Sequence, residues 1–291
     1  MSLKNVPIPE AAKAAGMTRL LIEDDFDSYD TIDMSGEGKP GYIWYTDRPY
    51  GMPNVEPEEI EIEDSMVKLR RKPGYSGSLL LLQSYSKKGD TGHILRAGVY
   101  MEARIRAPYP TEDHKGWPAF WTIGWHDFMS KKWDNVGEID VVELFRTKDE
   151  NGVLRPYFAG SLHDHKRMIP GDPYSKKVAT NSVNATGYND QFIWVDEDWH
   201  TYAVLWEKGR ISWYFDNKLS HTATFNDKDL PEYFYGDDPT PLPRIEHSRP
   251  ELADRTWKGA HSVMDTDPEV LILGGGIGWP CDVDWVRVWQ K

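Results

Sequence analysis

Val136-Gly-Glu-Ile-Asp-Val-Val-Glu-Leu144 sets three carboxylates, Glu138, Asp140 and Glu143, into one apolar run. Burying acids among Ile139, Val141, Val142 and Leu144 is expensive unless the charges have a task or a partner. On a strand the side chains alternate, so Glu138 and Asp140 share a face and Glu143 falls on the other. One extra residue in a β-bulge returns Glu143 to the first face. The two glutamate backbones then stand about four strand steps apart, roughly 13 Å. Side chains leaning inward narrow that gap to the ~5–5.5 Å at which one carboxylate attacks and the other protonates a leaving oxygen. Three neighbouring acids cannot all ionise cheaply, so at least one pKa must rise, and a proton held on Glu143 would serve as the acid. Asp140, between them, is placed to hydrogen-bond and orient Glu138.

Outward from this run, short strands alternate with turns. Met66–Arg70, Ser78–Gln83, Val99–Arg106, Phe120–Trp125, Tyr157–His163, Trp199–Trp206, Arg210–Phe215, Val270–Gly274 and Asp282–Trp289 read as strands. Lys72-Pro-Gly74, Glu207-Lys-Gly209 and Asp216-Asn217 read as turns. With hardly a helical period outside Pro9–Gly16, this pattern predicts an all-β sandwich. No linker divides the chain, so residues 20–291 are expected to form one domain behind an N-terminal extension of residues 1–19. Two long stretches, Asp164–Asp198 and Asn226–Pro268, do not read as strands; the aromatic content of the second suggests ordered loops walling a cleft.

The acidic run resembles the active-site strand of glycoside hydrolase family 16, in the bulged form shared by laminarinases, agarases and carrageenases. The resemblance continues in Gly98-Val-Tyr-Met-Glu-Ala-Arg-Ile-Arg106, Gly116-Trp-Pro-Ala-Phe-Trp121, Gly160-Ser-Leu-His163, Trp199-His-Thr-Tyr-Ala-Val-Leu-Trp206 and Val283-Asp-Trp-Val-Arg-Val-Trp289, all in the family's order. It implies a jelly roll of two curved antiparallel sheets, concanavalin A-like, with the catalytic cleft on the concave face. It implies Glu138 as nucleophile and Glu143 as acid/base of a retaining endo-hydrolase of a β-linked polysaccharide, with β-1,3-glucan the leading substrate. Trp117 and Trp121 then stack a sugar on the donor side, and His163 reaches the cleft near the cleavage point. No cofactor is required. A structural Ca²⁺ is a further implication, with Asp284 in the last strand as a ligand and Asp24 as a looser second candidate.

Alternatives stay open at this stage. A transglycosylase uses the same covalent intermediate, a galactan or bacterial exopolysaccharide could replace the glucan, and a glycan-binding lectin could use the same sandwich. A lectin, however, has no need of three acids. Thirteen Trp supply flat faces for pyranose rings, and Trp121 and Trp125 are expected to share a strand face.

The 47 acidic and 34 basic residues give a net charge of −13 with no basic tract, which argues against nucleic acid and leans toward a neutral glycan. A monomer is expected. The single cysteine, Cys281, excludes an intramolecular disulfide and reads as a buried small hydrophobe. No run approaches a membrane span, and the start carries no signal-peptide h-region, although work on polysaccharide is expected outside the cell or in the periplasm.

Overall fold

The computed structural model describes residues 4–47, 55–73, 79–130, 136–165, 180–184, 193–224, 246–247 and 268–291. Among them, nine strands form one sheet. Its order is Glu246–His247 (β17), Lys218–Thr224 (β16), Arg210–Phe215 (β15), His200–Glu207 (β14), Val99–Arg106 (β9), Cys281–Gln290 (β19), Met66–Leu69 (β5) and Ile60–Glu63 (β4), and Arg19–Asp24 (β1) also pairs with β19. Eight strands form the other. They run Thr180–Asn184 (β13), Leu154–His165 (β12), Val136–Lys148 (β11), Ala119–Gly124 (β10), Glu269–Gly276 (β18), Leu79–Gln83 (β6), Trp44–Tyr45 (β3) and Ile32–Asp33 (β2). Tyr85–Ser86 (β7) and Thr91–Gly92 (β8) make a separate hairpin. All named pairings are antiparallel except β2 with β3.

The period-2 pattern decides which face meets which. Val99, Met101, Ala103 and Ile105 of β9 point into the core between the sheets, where they join Ile139, Val142 and Leu144 of β11. The alternate residues of β9, Tyr100 and Glu102, face outward. There Ala12 and Met17 of the N-terminal segment, with Ala203, Leu205 and Trp289, build a second apolar cluster around Tyr100. That segment contains the short helix Glu10–Ala14 (α1), followed by Gly16 at φ +75°. Turn chemistry matches the sequence reading: Asp216 and Asn217 take φ +47° and +61°, as a two-residue hairpin between β15 and β16 requires.

One expectation is corrected. β10 ends at Gly124, and Trp125 opens the helix Trp125–Ser130 (α2), so Trp125 does not share a strand face with Trp121. Trp125 instead meets Tyr85 edge-on at 6.2 Å, in a cluster with Phe128, Ile123, Val270 and Ile272. The Asp164–Asp198 and Asn226–Pro268 stretches lie largely outside the described residues. Cys281 is fully buried, and burial raises its thiol pKa.

Glu102 is 2% exposed and lines a cavity of about 410 Å³ beneath the N-terminal segment, with Tyr100, Thr201 and Trp285. Burial pushes its carboxyl from 4.5 up to about 8. A carboxyl raised in the folded state contributes stability below its unfolded pKa and loses it as pH climbs through the folded value. Glu102→Gln cannot ionise, so it is expected to match the wild type near pH 4.5 and to gain stability up to pH 8. At 1.36 kcal/mol per unit, less near the two pKa values, the gain is roughly 3–4 kcal/mol between pH 5 and 8. Denaturant unfolding at the two pH values measures it; an equal difference at both would show that ionisation of Glu102 is not the cause.

Candidate active site

The bulge inferred from the sequence is present. In the pairing with β12, Asp140 sits opposite Ser161 and Glu143 opposite Ala159, so three steps on β11 match two on its partner. In the pairing with β10, Asp140 sits opposite Trp121 and Val142 opposite Phe120, so the extra residue is absorbed there too. Ile139, Val141, Val142 and Leu144 all enter the core between the sheets. Glu138, Asp140 and Glu143 occupy the opposite face, Glu138 and Glu143 partly exposed and Asp140 buried.

A residue from the other sheet holds the bulge. Trp213 of β15 is fully buried, and its indole Nε1 donates to the Asp140 carbonyl oxygen at 2.9 Å. Gly160 of β12 lies directly across the bulge, between the partners of Asp140 and Glu143. A Cβ at Gly160 would stand 2.5 Å from Trp213 Cδ1, so glycine leaves the room the indole occupies. Neither contribution was read from the sequence. In the sequence Gly160 is marked only as the first residue of Gly-Ser-Leu-His, and Trp213 lies on a strand more than seventy residues away with nothing local to mark it.

Asp140 is the electrostatic centre. Burial raises its pKa well above the usual carboxylate range, and the Glu138 charge adds to this. Its side chain is hydrogen-bonded to both glutamates: the bond to Glu143 favours the charged form of Asp140, and the bond to Glu138 favours the protonated form. Glu269, also buried, adds a further raising charge, and the Thr122 hydroxyl donates to the Glu269 carboxylate. Thr122 Oγ1 also accepts from the Ile139 amide at 3.2 Å, tying this buried acid to the strand between Glu138 and Asp140.

Trp117 and Trp121 both come to the acid face. Trp117 Nε1 donates to Glu143 Oε1 at 2.6 Å, and its ring lies 5.2 Å from Phe145. Trp121 is opposite Asp140 in register and is partly exposed, packing on the cluster around Ile123. His163 is the register partner of Glu138 on β12. Trp44 and Trp279, by contrast, are core residues, and Trp44 Nε1 donates to Asp24 at 2.8 Å. Asp24 also accepts from the Phe26 amide, so both of its carboxylate oxygens are already bonded in the core. Asp284 itself meets Lys4 and Arg104.

This is a sandwich with a bulged strand bearing two glutamates and a shared, buried aspartate on one face, an arrangement suited to acid–base and nucleophilic work on a glycosidic bond. The chain belongs to glycosyl hydrolases family 16, whose profile it matches over residues 90–267. It is 25% identical over 214 residues to the endo-1,3-1,4-beta-glycanase ExsH of Rhizobium meliloti, covering 70% of this chain and 37% of that protein. It is 29% identical over 126 residues to the glucan endo-1,3-beta-glucosidase A1 of Niallia circulans, covering 43% of this chain and 16% of that one. The chain thus spans less than two fifths of either relative. Among solved structures it resembles the catalytic domain of a laminarinase from Thermotoga petrophila, at TM-score 0.52 and 19% identity over 94% of this chain and 98% of that one. That likeness supports the jelly-roll fold.

Proposed function

We propose that the chain is a retaining endo-hydrolase of a β-linked polysaccharide, with a β-1,3-glucan as the leading substrate. The observation that carries this reading is the bulge, which puts Glu138 and Glu143 on one face with Asp140 bonded to both. In the mechanism Glu138 serves as the anion and Glu143 as the acid, with Asp140 hydrogen-bonded to both. Glu138 attacks the anomeric carbon while Glu143 gives its proton to the leaving oxygen; Glu143 then takes a proton from water, which releases the sugar from Glu138. Trp117 fixes the acid through Glu143 Oε1, and Trp121 offers an apolar face to a sugar ring on the same surface. The net charge of −13 favours a neutral glycan, and the names of the two curated relatives point to β-1,3 linkages.

The test is stereochemical. With laminarin as substrate, proton NMR before mutarotation is expected to show the β-anomer first, since two displacements restore the starting configuration. Initial α-anomer would refute both the nucleophile and the bulge reading. Agarose, carrageenan, lichenan and bacterial exopolysaccharide belong in the same panel, and product sizes reveal transfer to sugar where a reducing-end assay would miss it. Turnover of a galactan without turnover of laminarin would overturn the substrate and leave the mechanism standing.

A further inference from the structure

The last strand carries its own bulge. Val283 pairs with Ile105 and Trp285 with Arg104, so Asp284 is the extra residue and has no partner on β9. Its carbonyl is therefore outside that ladder and must be satisfied elsewhere. Across from it, the hairpin between β4 and β5 turns through Asp64 and Ser65, both at φ +53°, which directs the Ser65 carbonyl to the same point. The Asp25 carbonyl arrives from the end of β1, where Phe26 takes φ +52°. Three left-handed residues and a bulge thus converge oxygens on one spot. The oxygens are the Ser65, Asp284 and Asp25 carbonyls and Asp284 Oδ1.

Such an all-oxygen set suits a hard cation, and Asp284 is the residue for which a calcium ion was expected. The cation present belongs to the chain. Lys4 Nζ lies 2.6 Å from the Ser65 carbonyl, 2.7 Å from the Asp284 carbonyl and 3.4 Å from the Asp25 carbonyl, and it also donates to Asp284 Oδ1. The lysine is held from its backbone as well: its amide donates to Asp25 Oδ2 at 2.6 Å, and its carbonyl accepts from Arg287. Arg104 takes the other Asp284 oxygen at 2.5 Å. One carboxylate therefore faces two fixed positive charges at this spot, and a divalent ion there would meet repulsion and no free oxygen. The residues do not fit bound calcium.

We propose that the Lys4 ammonium is a tethered cation that replaces a metal ion in this cage, so that the N-terminal segment locks β1, the β4–β5 hairpin and β19 together without calcium. An ammonium is a compact point charge with three donors, which matches converging carbonyls; a planar guanidinium does not. The cage is then a latent metal site, opened by removal of one side chain.

Thermal unfolding with and without chelator tests this. Wild-type Tm is expected to be the same in EDTA and in millimolar CaCl₂. Lys4→Ala should lower Tm in EDTA by about 3–6 °C, because three carbonyls lose their donor and the partly buried Asp284 carboxylate keeps only Arg104. CaCl₂ should restore part of that loss, and Asp284→Ala in the Lys4→Ala background should abolish the response. Lys4→Arg should behave as a loss in EDTA. A calcium-dependent Tm in the wild type would overturn the proposal, as would an unchanged Tm in Lys4→Ala or a calcium response that survives loss of Asp284. Should Lys4→Ala fail to fold, ¹⁵N-lysine NMR of the wild type decides. A slowly exchanging lysine ammonium signal that persists in CaCl₂ is expected, and its displacement by the ion refutes the idea.

Discussion

Glu138→Gln is expected to fold as the wild type does and to lose on the order of 10⁴-fold or more in kcat, equivalent to roughly 5–6 kcal/mol of transition-state stabilisation. The amide has nearly the shape of the carboxylate, so the side chain keeps its place on β11, but it cannot form the glycosyl ester. Glu143→Gln differs in kind. Loss of a general acid costs about 10²–10⁴-fold when the leaving group needs a proton. An aryl glycoside with an acidic phenol needs little protonation, so its first step should survive while release by water stays slow. Azide requires no deprotonation and should speed that release, giving a β-glycosyl azide. Kinetics on laminarin and on the aryl glycoside, with and without azide, separate the two roles. Wild-type turnover in either folded variant, or azide rescue confined to Glu138→Gln, would remove the assignment.

The strand, its bulge and the three acids were legible because they violate the rule for buried strands. Charged residues in an apolar run leave one register in which all of them reach one face, and the paired strands adopt it. Trp117 was legible as an aromatic near the acids, although its bond to Glu143 was not. Strand boundaries followed from alternation, so Val99–Arg106 and Arg210–Phe215 are reproduced residue for residue. What failed was of another sort. Trp125 continues the alternation of β10, yet Gly124 ends the strand and the chain turns into α2, because the Tyr85–Phe128 cluster offers the indole a better burial than the acid face does. The roles of Lys4 and Trp213 depend on contacts spanning 280 and 73 residues. No periodicity encodes a contact of that range.

Trp213 is where the core acts on the site, and its removal is expected to be the most damaging change outside the acids. Trp213→Ala should cost roughly 3–5 kcal/mol for the cavity alone. The Asp140 carbonyl, stripped of its donor inside the sandwich, adds about 1–3 kcal/mol. A total of about 4–8 kcal/mol is a large share of the ~5–15 kcal/mol that holds a domain folded. Trp213→Phe separates packing from bonding: it retains a ring but donates nothing, so its stability loss should be smaller while kcat still falls. The reason is geometric. The bulge is what turns Glu143 to the face of Glu138, and the indole N–H fixes the carbonyl at its start. Gly160→Ala attacks the same contact from β12, since its new methyl would stand 2.5 Å from the indole and one of the two must move. It should cost about 1–3 kcal/mol and should lower kcat more than it raises KM, because the acids and not the sugar-binding surface are displaced. Denaturant unfolding and initial rates on the same preparations measure both effects. If Trp213→Phe and Gly160→Ala lose stability but keep full kcat, the bulge does not depend on this contact, and the acids hold their geometry through Asp140 alone.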